Sequence, residues 1–66
     1  MDEMGARLRR LRGIRTRQRV AADLGITVEA LRAYEGGERI PRDEVLLRAA
    51  MLFRVPKAFL TGGDPQ

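Results

Sequence analysis

The chain has 66 residues, which is enough for one small domain spanning residues 1–66. It contains no Cys and no His, which excludes disulfides, thiolate or imidazole metal sites and the common His-dependent catalytic pairs. A site built from carboxylates alone would need a cleft that so short a chain rarely forms. We therefore expect no enzyme, no metal and no cofactor. The net charge of +4 and its concentration in residues 5–20 indicate either an anionic partner, such as nucleic acid or a membrane surface, or a solvated arginine-rich face.

The first 25 residues predict two short helices. Gly13 is expected to end the first helix. The second is expected to begin after Thr16 as N-cap and to end at Gly25, which can adopt a positive φ. Apolar residues at helical spacing mark one face of each helix. They are Met4, Leu8 and Leu11 in the first helix and Val20, Ala21 and Leu24 in the second.

Three further helices are predicted in the rest of the chain. Thr27 is expected to cap the third, which residues 36–37 stop, and Pro41 is expected to open the fourth. Pro56 fits the first turn of a fifth helix, which residues 62–63 close, and residues 64–66 are expected to form a frayed tail. The apolar stripes are Ala30, Leu31 and Tyr34, then Leu46, Leu47, Ala50 and Phe53, then Phe59 and Leu60. The chain is therefore predicted to be all-α, a compact five-helix bundle with short loops.

Residues 17–36 predict a helix-turn-helix. A three-residue turn, Gly25–Thr27, joins two helices there, which is the geometry of this motif. Ala21 is small where the two helices would cross, and Ile26 can turn its apolar side chain under the turn. A generic helical hairpin would show some of these features, but their combination within twenty residues favours the helix-turn-helix.

These residues resemble the Cro and phage-repressor type of helix-turn-helix, the xenobiotic-response-element family of bacterial and phage regulators. The resemblance extends from about Gly5 to Leu60, and its most specific pieces are residues 24–27 and Tyr34-Glu35 followed by Gly37. Residues 11–16 look like a short-loop variant of the family. The resemblance implies a five-helix domain of the phage-repressor-like type whose third helix enters the DNA major groove.

Two residues at the end of the third helix are expected to serve the fold. A negative charge at a helix C-terminus is disfavoured by the helix dipole, so Glu35 needs a partner. The resemblance to the family suggests Arg12, in a partly buried structural ion pair. Tyr34 is expected to pack in the core, with stacking on a base as the alternative.

Contacts to DNA phosphates are expected from the start of the second helix and from the loop after the third. Residues 5–20 hold seven arginines and no acidic residue. Arg17 opposes the helix dipole unless an anion binds beside it, although a solvated arginine is the alternative. The family usually has Gln at this position. The expected phosphate contacts are Thr16, Arg17, Gln18, Thr27, Arg39 and Arg42, with Arg7, Arg9 and Arg10 as a general electrostatic surround.

Base reading is expected from the exposed face of the third helix. Arg32 can pair with guanine O6 and N7, and Glu29 can accept a hydrogen bond from cytosine N4. Val28 and Ala33 can pack on thymine methyl groups. This set departs from the Gln-rich or Ser-rich faces common in the family, and Glu29 would repel phosphates if it missed its base.

We predict a sequence-specific regulator of transcription that binds double-stranded DNA, a repressor acting by occupancy of its operator. It is expected to bind a palindromic site as a homodimer in the bacterial cytoplasm, with Met51, Leu52 and Leu60 as candidate dimer contacts. The first alternative is an antitoxin or other protein-interaction module with the same fold. The second is membrane-surface attachment through the first helix, which is disfavoured because the core needs that helix's apolar stripe. No apolar run is long enough to span a membrane, and no signal peptide is visible.

Overall fold

The computed structural model describes residues 3–62, and that part of the chain forms five α-helices without a strand. The helices are α1 (Glu3–Arg12), α2 (Arg17–Leu24), α3 (Val28–Glu35), α4 (Asp43–Phe53) and α5 (Lys57–Thr61). The predicted all-α five-helix architecture is confirmed. The expected tail and Gly63 lie outside the described residues.

The threonine caps form at the starts of α2 and α3. The backbone N–H of Arg19 donates to Thr16 Oγ1 over 3.1 Å, and that of Ala30 donates to Thr27 Oγ1 over 3.0 Å. Each bond satisfies one of the amide groups that a helix start leaves without an intrahelical partner. These two caps fix the boundaries of the α2–turn–α3 unit.

The turn between α2 and α3 depends on Gly25. This residue lies in the left-handed region, with φ 73° and ψ 32°. Its N–H donates to Ala22 O over 3.1 Å, and the N–H of Ile26 donates to Ala21 O over 2.9 Å. These bonds close α2, so that the chain starts α3 only three residues later and packs it against α2.

One hydrophobic core takes side chains from all five helices. Ala21 is 2% exposed, which agrees with a close approach of helices at a small side chain. Tyr34 is 6% exposed and lies in the core, as expected from the sequence. The other buried apolar residues are Leu8, Val20, Leu24, Leu31, Val45, Leu46, Ala49, Ala50 and Leu60.

The sequence was less informative about α4 and α5. Pro41 and Pro56 both precede their helices: α4 begins at Asp43 after Arg42, and Pro56 is the N-cap of α5. Leu60 is fully buried, so its proposed role as an exposed dimer contact is wrong. Leu47 belongs to the apolar stripe predicted for the fourth helix, but it is 47% exposed. Helical spacing therefore identified the helices but not which edge of each stripe faces solvent.

Within residues 3–62, no helix combines the length and the apolar composition that a bilayer crossing requires.

Helix α4 ends without glycine, and this ending carries backbone strain. Arg54 closes the helix in the left-handed region with φ 59° and ψ 47°. A residue with a Cβ loses about 1–2 kcal/mol in this conformation, whereas glycine adopts it without a steric penalty.

We predict that Arg54→Gly raises the free energy of unfolding by about 0.5–1 kcal/mol, because relief of strain exceeds the extra chain entropy of an unfolded glycine. Thermal unfolding would show a midpoint higher by a few degrees. Arg54→Ala is the control, since it removes the same charge but keeps the Cβ. An equal gain in both variants would show that charge, not strain, is responsible.

Candidate nucleic-acid interface

The geometry of the interface begins at a buried carboxylate. The Glu35 side chain ends α3 and is only 2% exposed. Arg12 from α1 donates to it twice, from Nε to Oε2 over 2.8 Å and from Nη2 to Oε1 over 3.3 Å. Such a two-point contact between guanidinium and carboxylate is stronger than a single hydrogen bond. The ion pair that the family resemblance suggested is present.

Arg12 also fixes the loop that leads into α2. Its remaining Nη1 donates to the backbone oxygen of Arg15 over 2.9 Å. One guanidinium therefore connects the end of α1, the α1–α2 loop and the end of α3. Because α2 begins immediately after this loop, the contact also sets where the N-terminus of α2 lies.

Arg17 makes an intramolecular ion pair, and its phosphate contact stays a prediction. It is not a solvated arginine, because its Nε donates to Glu35 Oε1 over 3.1 Å. Its side chain is still 35% exposed. No sequence pattern indicates this second pair, because the approach of residues 17 and 35 depends on the packing of α2 and α3.

The exposed face of α3 presents two charged side chains. Glu29 and Arg32 are both exposed, and neither makes a side-chain ion pair or hydrogen bond within the described residues. Ala33 is half-buried. Val28 is also half-buried and packs against the core, so only part of its side chain is accessible from the exposed face. The face therefore carries one unpaired cation and one unpaired carboxylate, bordered by small or partly covered apolar groups.

The predicted phosphate contacts lie at the helix starts and in the segment that connects α3 to α4. Thr16 and Thr27 are exposed and use their oxygens as helix caps, which leaves each hydroxyl hydrogen as a donor. Gln18 is exposed in the first turn of α2. Arg42 is exposed and precedes α4 without capping it through its side chain.

Arg39 is held by an aromatic ring. Its guanidinium carbon lies 5.6 Å from the centroid of Tyr34, within the range of a cation–π contact. The backbone of residues 37–39 folds back onto α3, since the N–H of Gly37 donates to Tyr34 O and that of Glu38 to Ala33 O. From the sequence, Arg39 is recognisable only as a basic loop residue, because a non-helical turn separates it from Tyr34.

A shallow depression of about 310 Å³ is lined by Arg15, Arg19, Asp23 and Leu52, and Arg19 there pairs with Asp23 over 3.3 Å. Among residues 3–62, no three acidic side chains gather as a metal site would require. Glu29 and Arg32, on the exposed face of α3, are among the charged side chains that keep their hydrogen-bonding capacity free.

Comparison with known proteins agrees with this geometry. A family model described as a helix-turn-helix domain matches residues 3–59. The match includes α1 to α4 completely and enters α5. No curated protein and no solved structure matches the chain.

We predict that Arg12→Leu lowers the free energy of unfolding by about 2–3 kcal/mol. A fully broken buried pair loses about 3–5 kcal/mol, but Arg17 still contacts the carboxylate here. Arg9→Leu, on the exposed side of α1, is the control and should change stability by less than about 0.5 kcal/mol. Denaturant unfolding measures both, and equal effects would contradict a special role for Arg12.

Proposed function

This chain belongs to the helix-turn-helix domain family, and on that basis we propose that it is a transcriptional regulator that binds specific sequences in double-stranded DNA. In this motif the second helix lies in the major groove, which here is α3. Domains of this family are typically not enzymes. The observation that carries the proposal is the α2–turn–α3 unit, whose second helix exposes unpaired Glu29 and Arg32.

Sequence reading is assigned to the exposed face of α3. Arg32 can donate two hydrogen bonds to guanine O6 and N7, and Glu29 can accept one from cytosine N4. The half-buried Ala33, and the part of Val28 that remains accessible, can contact thymine methyl groups. A carboxylate near the DNA backbone is repelled unless it finds a donor, so Glu29 favours sites with cytosine at its position and penalises others.

Phosphate contacts are assigned to groups around this face. Thr16, Gln18 and Thr27 supply donors near the starts of α2 and α3, where helix dipoles also favour anions. The guanidinium groups are supplied by Arg17, Arg39 and Arg42. Such contacts fix the position of the protein on the duplex without reading its sequence. The exposed arginines of α1 add long-range attraction for the DNA.

Repression by occupancy of an operator is the mode of action we propose, in the bacterial cytoplasm and on the nucleoid. A single module of this size covers limited DNA surface, so useful affinity requires two copies on a palindromic site. On α4, Leu47 and Met51 are 47% and 78% exposed and lie one turn apart, which makes them candidates for the contact between copies.

The same two residues favour a second candidate function, an antitoxin or other protein-interaction module. An exposed apolar pair on a helix is equally suited to a different protein as partner. DNA binding distinguishes the two functions, because a pure interaction module has no need of the unpaired Arg32.

The proposed function is tested by selecting duplexes from a random DNA pool with the purified chain at physiological salt. Enrichment of an inverted repeat with half-sites about 10 bp apart would support a dimeric, sequence-reading regulator. If each subunit neutralises about four phosphates, log Kd changes with log salt at about 3.6 per subunit. Retention of DNA without an enriched motif contradicts sequence reading, and no retention favours the interaction module.

We predict that Arg32→Ala relaxes the base preference at one position of each selected half-site. Affinity for the selected site should fall about 10-fold to 100-fold, because one bidentate contact contributes about 1–3 kcal/mol of discrimination. Binding to random duplex should fall much less. Arg10→Ala, an exposed arginine of α1, is the control and should weaken both duplexes equally. Equal losses on both duplexes for Arg32→Ala would contradict its assigned role.

A further inference from the structure

We infer that Glu35 is a positioning residue for DNA binding, which holds Arg17 ready for a phosphate while Arg12 holds Glu35 itself. This inference rests on the proposed function and adds a division of roles between the two arginines. Both guanidinium groups contact the same buried carboxylate, but they do so in different ways. The difference can be read from the hydrogen bonds that each nitrogen makes.

All three guanidinium nitrogens of Arg12 are in use. Nε and Nη2 donate to Glu35, and Nη1 donates to Arg15 O. The side chain is 15% exposed. Arg12 therefore has little capacity left for an external anion, and its role is to neutralise the carboxylate and fix the loop before α2.

Arg17 commits only Nε to Glu35. Its Nη1 and Nη2 groups carry four N–H donors, and the side chain is 35% exposed. A guanidinium is planar and rigid, so fixing Nε to a buried acceptor also fixes the direction of the Nη groups. Arg17 can therefore donate to an anion through its Nη edge without releasing Glu35.

The charge of the cluster also favours an anion. Two guanidinium groups share one carboxylate, which leaves one positive charge in excess at the N-terminus of α2. The dipole of α2 adds partial positive charge at the same end. This excess opposes helix formation in the free protein and is relieved when a phosphate binds.

Fixing Arg17 in advance lowers the entropy lost on binding. An unrestrained arginine must give up side-chain freedom when it orders on a phosphate, whereas Arg17 has given up much of it in the free protein. Because Glu35 belongs to α3, the restraint also fixes the phosphate contact relative to the helix that reads bases. Glu35 thus links the position of the protein along the DNA backbone to the position of α3 in the major groove.

The experiment is a double-mutant cycle with Arg17→Lys and Glu35→Gln, with Kd measured for a random-sequence duplex of about 20 bp over a range of salt. Lysine keeps the charge, but it lacks the two separate edges of a guanidinium. Its single ammonium group therefore cannot contact Glu35 and a phosphate in the way that Arg17 can. We expect Arg17→Lys to weaken binding about tenfold and to reduce the salt slope by about one. Its thermal midpoint should stay close to that of the wild type.

Arg42→Lys is the matched control. Arg42 is an exposed arginine assigned to phosphate without a carboxylate partner, so lysine should replace it with less than about a threefold loss and an unchanged salt slope. Arg42→Lys should combine additively with Glu35→Gln. Arg17→Lys should instead lose at least fivefold less in the Glu35→Gln background than in the wild type, because the restraint is already weakened there.

The outcomes separate the inference from the function on which it rests. Wild-type chain that does not bind DNA overturns both. Wild-type binding with additive effects of Arg17→Lys and Glu35→Gln overturns the positioning role alone. If Glu35→Gln does not fold, the two lysine variants decide: equal losses and unchanged slopes for both overturn the inference, and a tenfold loss with a reduced slope only for Arg17→Lys supports it.

Discussion

The arrangement of this protein depends on a single carboxylate buried at the end of α3. Glu35 lies where the helix dipole disfavours it and where water scarcely reaches it, so it requires cationic partners. Arg12 and Arg17 supply them from the end of α1 and the start of α2. One charge that is unfavourable in isolation thus connects the first three helices.

Sequence alone was sufficient for the features that short-range chemistry determines. The threonine caps and the left-handed Gly25 each depend on a few neighbouring residues, and the structure shows both as expected. The Arg12 pair came only from the family resemblance, since 23 residues separate its members. No pattern indicated that Arg17 contacts Glu35 or that Arg39 contacts Tyr34. These residues come close to one another only after the helices pack.

The errors have a common physical origin. Helical spacing shows that a residue lies near the apolar side of its helix, but neighbouring helices decide how much of it is covered. Leu60 is fully buried, Val28 is half-buried, and Leu47 is 47% exposed. Arg54 was missed for a different reason: an arginine in a left-handed helix cap violates local preference, so the sequence contains no signal for it.

Glu29 and Arg32 are exposed and lie apart from the core. This arrangement has an evolutionary consequence. Neither side chain bonds to another described residue, so the helix caps and the buried ion pair do not depend on their identity. Under the proposed function, exchanging them would change the surface that reads DNA while leaving the scaffold intact. Descendants of such a domain would then acquire new target sites through single substitutions, and a library randomised at these two positions would vary recognition without a corresponding loss of stability.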